Sequence, residues 1–235
     1  LRLGVNAGNS IASGGNYNVC IGDEAGTAIS TGDNNTAIGY EALKTEDADS
    51  NNVAIGFQAL RLLNAGAAGY NTVVGAYAGT AMTLGVNNTL MGTFSGDALS
   101  SGKENTAIGY ASLSGETQGK GSVGIGWKSL QIQNTTSDTY IRNTAIGYNS
   151  GQAITTGVQN TYIGANAGDA IQDGTNNVGV GFEALSADHG SGNVGIGCRS
   201  LKALTGDDNT AVGENSGTAV TSGINNTLIG AESGD

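Results

Sequence analysis

The chain has 235 residues and a formal net charge of −11, with 41 glycines, no proline and only 5% aromatic residues. Twenty acidic residues against nine basic ones would repel a phosphate backbone, so we expect no nucleic-acid partner. No apolar run approaches the ~20 residues that cross a bilayer as a helix, so we expect no membrane insertion. The glycines recur at fixed places between β-branched residues, and this regularity argues against a flexible linker.

The order in the sequence is a repeat. The hexapeptide NTAIGY occurs at 35–40, 105–110 and 143–148. In chain order, units aligned on the Asn of this motif begin at residues 18, 35, 52, 71, 88, 105, 122, 143, 160, 177, 193, 209 and 226, after a partial first unit. The repeat covers the whole chain, so we predict a single repeat domain, 1–235. Since the chain begins within a repeat, we expect it to be a fragment of a longer fibre protein.

Each unit opens with the same five positions. The first is Asn except at Ser122, the second is Thr or Val, the fourth is Ile, Val or Met, and the fifth is Gly. Residues at the second and fourth positions share one face of a strand, so we predict a short strand in every unit with this face turned inward. A position that admits only Gly predicts a positive φ or a close backbone approach. In some units, Ile29 and Ile154 suggest a second inward-facing strand.

Seventeen residues with one clear strand cannot bury a face alone, whereas stacked copies can. We therefore predict an all-β fold, a β-solenoid (β-roll) of about fourteen 17-residue coils, with a rise of ~4.8 Å per coil and a length of roughly 67 Å. Like side chains would then form structural ladders along the rod. The predicted Asn ladder contains Asn35, Asn52, Asn71, Asn88, Asn105 and Asn143. The predicted Gly ladder contains Gly39, Gly56, Gly75, Gly92, Gly109 and Gly147.

The ninth position alternates between pairs of Gly and pairs of Leu, and the Leu-type units end in tails of irregular length and sequence. Seven of the nine cationic residues lie in the Leu-type units, together with many of the aromatic residues. Aromatic and cationic side chains together are typical of glycan or protein contacts. The candidate receptor-contact residues are Lys44, Arg61, Lys120, Tyr140, Arg142, His189 and Lys202. The competing interpretation is that Tyr40, Phe57 and Trp127 simply pack on the Leu three residues later.

No constellation in the sequence indicates catalysis, a cofactor or a metal. His189, the one histidine, has no nucleophile or set of ligands beside it, and its Gly/Ser tail predicts a surface residue. The carboxylates of Glu46, Asp47 and Asp49 could bind a hard cation, but the glycine-rich calcium repeat of some β-rolls is absent, which favours a solvated loop. We therefore expect a protein that is not an enzyme, although carboxylate pairs on facing coils, as in tailspike enzymes, need not show in the sequence.

Three segments carry a family resemblance: NTAIGYEAL, NNVAIGFQAL and NTAIGYNSGQAITTGVQNTYIGANAG. They resemble the head repeats of trimeric autotransporter adhesins, and more closely the 17-residue arrays of bacteriophage tail fibres. The resemblance implies a homotrimer, located in the virion and joined to other tail or fibre proteins. Small apolar residues at the third position, such as Ala37, also indicate packing against a second strand or a neighbouring chain.

We accordingly expect a structural component of a trimeric phage tail fibre, a rigid shaft with loops that could touch a glycan or protein receptor on the host cell surface. The alternative is the head of a bacterial trimeric autotransporter adhesin, extracellular on the bacterial surface. An ice-binding solenoid is a third class, because Thr and Asn recur at regular spacing. The inward orientation predicted for the Thr column argues against it.

Overall fold

In a computed structural model, which describes residues 1–12, 14–66 and 68–234, the chain forms one parallel β-solenoid. Fourteen short strands lie in a single sheet in sequence order, which leaves thirteen turns between them. The strands are β1 (Arg2–Leu3), β2 (Val19–Ile21), β3 (Thr36–Ile38), β4 (Val53–Ile55), β5 (Thr72–Val74), β6 (Thr89–Met91), β7 (Thr106–Ile108), β8 (Val123–Ile125), β9 (Thr144–Ile146), β10 (Thr161–Ile163), β11 (Val178–Val180), β12 (Val194–Ile196), β13 (Thr210–Val212) and β14 (Thr227–Ile229). Within the described ranges, no helix is long and apolar enough to cross a membrane.

The strands pair in the register that the repeat predicts. Thr36 faces Val53, and Ile38 faces Ile55, so like positions lie over like positions. The register survives the lengthened units, because β4 still pairs with β5 and β8 with β9 position for position. Extra residues are therefore accommodated in the tails, and the predicted β-solenoid is confirmed.

The orientation predicted for the strand face is wrong. The third position points into the core, where Ala37, Ala54 and Leu90 are fully buried, whereas the second and fourth positions are half-buried or exposed. The error arose because both faces are apolar, so the alternation within a three-residue strand does not distinguish them. The inward third position is Ala or Gly in most coils, although Leu90 and Tyr162 also fit there, and the β-branched residues of the second and fourth positions lie outside.

The second inward strand is absent from the described residues, and a turn takes its place. Ile29 and Ile154, at the twelfth position of their units, are fully buried but lie outside any strand. Leu63, Met82 and Leu99 occupy the same position in other coils and are also buried. The core is thus built from one strand position and from turn positions of each coil.

The glycine at the fifth position is required by the stacking of the turns. Gly92 has a φ of +133°, and a Cβ built on it would lie 2.5 Å from the carbonyl oxygen of Gly109 in the next coil. Any larger residue would therefore meet both backbone strain and a collision. The glycine ladder sets how closely the coils approach each other.

The paired alternation at the ninth position reflects shared interior volume. A Cβ on Gly79 would lie 3.0 Å from Leu90 Cδ1 and 3.1 Å from Leu60 Cδ2, and a Cβ on Gly96 would lie 3.0 Å from Leu90 Cδ2. Leu90, at the third position of the second Gly-type coil, thus fills the space beside both glycines. The Leu-type coils reverse the arrangement, with a buried Leu at the ninth position and Ala or Gly at the third. The pair Gly79 and Gly96 therefore shares one bulky residue, as Gly217 and Gly234 share Leu228, and in these two pairs the sharing explains why the glycines come in twos.

Candidate functional site

The Asn column closes each coil and ties it to the next. Asn71 is representative: its side-chain nitrogen donates to the carbonyl of Gly85 at 2.9 Å, within its own coil. Its backbone N–H donates to Oδ1 of Asn52 at 3.1 Å, in the preceding coil. All six residues of the predicted Asn ladder are buried. Because these donors and acceptors serve the coils themselves, the ladder offers little to a ligand.

Ser122 interrupts the Asn column, and Gln133 fills the gap. The side-chain nitrogen of Gln133 donates to Ser122 Oγ at 3.1 Å and to Glu116 Oε2 at 3.0 Å. Asn143 donates to Gln133 Oε1 at 2.9 Å, which carries the connection onward. Gln133 belongs to the twelfth position, where most coils have an aliphatic residue. The sequence marked Ser122 as irregular but gave no signal for the residue that compensates.

His189 is buried, so its prediction as a surface and receptor-contact residue is wrong. Its exposed fraction is 3%, its Nε2 lies 3.3 Å from the Tyr162 hydroxyl, and its Nδ1 lies 3.0 Å from the Gly190 carbonyl oxygen. Burial lowers the pKa of His189 and raises that of Tyr162. In this 16-residue unit Asp188 takes the twelfth position but stays outside, and His189 turns inward instead. Among the described residues, the pair belongs to no group of three or more His, Cys, Asp or Glu side chains that could hold a metal ion.

The acidic tail near residue 46 is not a solvated loop. Glu46 and Asp49 are both fully buried, and burial raises the pKa of Glu46 to about 8. Glu46 lies at the twelfth position, in line with Ile29 and Leu63, and its Oε1 accepts a hydrogen bond from the Asp49 backbone. Asp49 Oδ2 accepts from the backbone of Ala65 at 2.6 Å. No group of three or more His, Cys, Asp or Glu side chains is arranged for a metal ion in the described residues.

Four of the predicted contact cations are engaged in salt bridges, and three of them, Lys44, Arg61 and Lys202, bind largely shielded glutamates. Lys44 Nζ lies 2.7 Å from Glu41 Oε1, and Arg61 Nε lies 2.9 Å from Glu41 Oε2. Lys202 Nζ lies 2.6 Å from Glu183 Oε2, which also holds Arg199. These charges are neutralised within the protein, which weakens their candidacy for a receptor anion.

The structure brings the remaining three predicted contact residues together. Lys120 and Tyr140 pair across neighbouring coils, Lys120 Nζ lies 5.6 Å from the Tyr140 ring centroid, and the Arg142 guanidinium carbon lies 4.9 Å from it. Lys103, which is not one of the seven predicted contact residues, pairs with Lys120 from the coil on the other side. Both lysines precede a unit start by two residues, a signal that aligning the unit starts could have revealed. We call these four residues the tail-cation cluster.

The outer face of the sheet, formed by the second and fourth positions, carries two continuous ladders, one of Thr and Val and one chiefly of Ile and Val. We call this surface the Thr/Ile face. The isoleucines are half-buried in β2–β8 and more exposed in later strands, where Ile146 is 36%, Ile163 39% and Ile196 40% exposed in the single chain. In six successive coils, an aromatic residue follows the fifth-position glycine by one or two residues, and the six rings stack along the rod. They are Tyr40, Phe57, Tyr77, Phe94, Tyr110 and Trp127, with successive ring centroids 5.2, 5.1, 5.2, 5.9 and 4.2 Å apart.

The stack corrects the expectation for its rings. Tyr40, Phe57 and Trp127 stay 40–45% exposed and stack along the rod, while the Leu three residues later lies inside the coil. Tyr77 and Phe94 occupy the seventh position of their units and the other four rings the sixth, yet the stack is unbroken. The ring column is therefore defined by space and not by repeat position alone.

No family model matches the chain, and neither a curated protein nor a solved structure matches it. The class is defined by the structure itself: a parallel β-solenoid repeat protein with 17-residue periodicity, which is consistent with repeat proteins of fibre-like shape. The two surfaces that distinguish it are the Thr/Ile face and the tail-cation cluster.

Proposed function

We propose that the chain is a structural segment of a homotrimeric fibre, in which three solenoids pack through their Thr/Ile faces. One observation carries the proposal: an apolar, partly exposed face runs unbroken along fourteen strands in register. Contiguous apolar surface of that extent marks an interaction site in soluble proteins. Charged residues, which protect a free sheet surface, are absent from the second and fourth positions of the strands.

The geometry of a fibre fits this face. A straight rod that exposes one apolar side can bury it against copies of itself around a shared axis, and closed symmetry leaves no face uncovered. The number three comes from the resemblance of the NTAIGY units to trimeric fibres, since the face itself does not specify it. A solenoid held by backbone and Asn ladders supplies the stiffness that a shaft needs.

In biological terms the proposal is a tail-fibre segment of a bacteriophage, part of the virion, joined to other tail or fibre proteins and able to touch a host cell-surface receptor. The alternative is the head of a bacterial trimeric adhesin on the cell surface, which would use the same rod and the same face. No reaction is part of either role. The downstream gene sequence separates them, because an outer-membrane anchor indicates the adhesin and neighbouring tail genes indicate the phage.

The oligomeric state tests the proposal directly. We expect the purified chain to sediment at equilibrium with three times its monomer mass of 23.3 kDa. Ile146→Asp combined with Ile163→Asp places charges in the face and should give monomers, because two unpaired carboxylates would be buried per chain. Leu84→Asp is the matched control: Leu84 is 52% exposed in a tail, away from the face, and its variant should remain trimeric. A wild-type chain that stays monomeric at micromolar concentration contradicts the proposal.

An ice-binding solenoid is a second candidate, favoured by one observation. The Thr column points outward, opposite to the sequence prediction that argued against this function, and Thr144 and Thr161 lie on adjacent strands of a regular ladder. Ice binding needs this face uncovered, whereas the fibre needs it covered. Thermal hysteresis shown by a monomeric sample would select ice binding; a trimer without hysteresis would reject it.

A further inference from the structure

We propose that the tail-cation cluster of Lys103, Lys120, Tyr140 and Arg142 binds an acidic saccharide, a sugar that carries a carboxylate or phosphate group. The inference rests on the proposed fibre function and specifies the chemistry of its receptor. The cluster spans three successive coils beside the start of the strands, and its residues come from separate unit tails.

The charge distribution sets this region apart. Residues 103–142 contain four cations and three acids, a net charge of +1, whereas the rest of the chain contains five cations and seventeen acids, a net charge of −12; together these give the total of −11. One of the three acids, Glu116, is fully buried and accepts hydrogen bonds from Thr135 and Gln133. A local positive potential on a strongly acidic rod concentrates anions at this place.

Two of the three cations in the cluster lie outside the salt bridges found among the described residues, as do Arg2 and Lys128. Lys44, Arg61, Arg199 and Lys202 all lie in salt bridges. Among the described residues, Lys103 and Arg142 have no carboxylate oxygen within 4.0 Å. Lys120 contacts Asp138 at 2.5 Å, and that carboxylate is 57% exposed, so an incoming anion could replace it. Two free cations and one exchangeable cation form the anion-binding part of the site.

The surroundings favour a sugar over a bare anion. The Tyr140 ring is 50% exposed and rests on Gly121, where a Cβ would lie 3.4 Å from its Cδ1. Residues 136–139 form an exposed polar lip of hydroxyl and carboxyl groups in the longest unit of the chain, 122–142. Hydroxyls and an aromatic ring contact the body of a sugar, while the Arg142 fork can bind its acid group through two parallel hydrogen bonds.

A nucleic acid fits the site poorly. Binding an extended phosphate backbone requires a basic track many phosphates long, and acidic residues prevail on the remainder of the rod. The cluster matches a single compact anion. Carboxylated and phosphorylated sugars share this chemistry, so the experiment must separate them.

Calorimetric titration of the purified chain tests the site with three groups of oligosaccharides: sialic or uronic acids, sugar phosphates, and neutral sugars of equal size. We expect binding to at least one acidic group and not to the neutral one. Lys103→Ala combined with Arg142→Ala should weaken binding at least tenfold. Arg199→Ala is the matched control, because Arg199 also lies over a ring, that of Phe182 at 5.6 Å, but is already paired with Glu183.

Asp138→Asn supplies the decisive sign. It releases Lys120 from its carboxylate partner, so acidic-sugar affinity should rise severalfold, an effect that a loss of folding cannot produce. The proposed site is contradicted if Asp138→Asn weakens binding in a chain of unchanged thermal stability. It is also contradicted if no acidic sugar binds or if neutral sugars bind equally well. Tighter binding of a polyglutamate peptide or an oligonucleotide would contradict the assignment to a saccharide. Sedimentation of the same samples keeps the proposals distinct: a trimer that binds no acidic sugar loses only the site, and a monomer that binds it loses only the fibre.

Discussion

At the scale of single residues, the side chains that fix this fold are chosen by what the neighbouring coil leaves free. Leu90 can be large because Gly79 and Gly96 are small, and the fifth-position glycines are small because the next backbone lies against them. A residue is therefore constrained mainly by its equivalents one coil away, more than by its neighbours in sequence. Substitutions at such positions should cost more than local propensity suggests.

Alanine substitutions at two glycines with positive φ distinguish the cost of backbone strain from the cost of a steric collision with the next coil. Gly92→Ala meets both, since its Cβ would lie 2.5 Å from a backbone oxygen, and we expect a loss of more than ~3 kcal/mol in the free energy of unfolding. Gly66 has a φ of +70° but open space around its Cβ position, so Gly66→Ala should cost only ~1 kcal/mol. Urea denaturation followed by circular dichroism measures both. Equal losses would show that backbone contact does not set the coil spacing.

Glu46 should make the stability of the protein depend on pH. Its ordinary pKa of 4.5 rises to about 8 in the folded chain, chiefly through burial, so between these values the folded state holds a proton that the unfolded state has released. Stability should therefore be highest below about pH 4.5, as far as Glu46 is concerned, and should fall as the pH rises to about 8. The loss is on the order of 1.4 kcal/mol for each unit by which the two pKa values differ.

Glu46→Gln isolates that contribution, because Gln keeps an acceptor for the Asp49 backbone and does not titrate in this range. Its unfolding midpoint should exceed that of the wild type at pH 8 and approach it at pH 4.5. His189 acts in the opposite sense, since its lowered pKa removes stability as the pH falls below its usual value near 6.5. A variant whose difference from the wild type is the same at both pH values would contradict the assignment to Glu46.

At the scale of the element, one coil is a three-residue strand held in place by side-chain hydrogen bonds to its own turns. So short a strand gives little stability alone, and the Asn column supplies what the strand lacks by bonding both to its own tail and to the next coil. Where the column fails at Ser122, Gln133 substitutes from inside the coil. The ladder is thus a connected network, and its weak point is at the irregular unit.

Gln133→Leu should expose that weak point. Leu suits the aliphatic twelfth position, as Leu63 and Leu99 show, but it leaves Ser122 Oγ, Glu116 Oε2 and the Asn143 amide with one buried partner fewer. We expect a loss of ~2–4 kcal/mol. Adding Ser122→Asn restores the regular column, so the double variant should be more stable than Gln133→Leu alone. A fully additive double-mutant cycle in chemical denaturation would show that the two positions do not communicate.

At the scale of the whole molecule, the repeat period determines the fold. The orientation of the strand faces and the position of the site depend instead on side-chain volumes and on the lengths of individual tails, which cannot be read from the period. Equal spacing forces equal residues into register, so the solenoid follows from the unit starts alone. The prediction that the Thr/Ile face points inward is wrong because both sides of the strand are apolar. The sequence alone therefore does not show whether Ala37 or Ile38 is the buried residue. The prediction that His189 is exposed is wrong because its unit has 16 residues, so the inward position of the tail is shifted by one residue. Of the tail-cation cluster, Lys120, Tyr140 and Arg142 were selected as separate residues, but their proximity depends on how a lengthened tail folds back.

Removal of whole coils tests whether paired Gly-type coils share one interior side chain or whether each coil adds its own stability independently. If each coil contributed equally, deleting two would destabilise the rod more than deleting one. The pairing of Gly-type coils predicts the reverse order. Deleting 88–104 removes Leu90 and leaves Gly79 beside an unfilled space, a cavity of the kind that costs several kcal/mol. Deleting 71–104 removes the complete pair and puts Leu60 and Leu113 at the ninth positions of adjacent coils, which the buried Leu43 and Leu60 already occupy in paired coils. The larger deletion should therefore melt at the higher temperature and shorten the rod by ~10 Å in small-angle scattering. If the single-coil deletion is the more stable of the two, the glycines are not paired by packing.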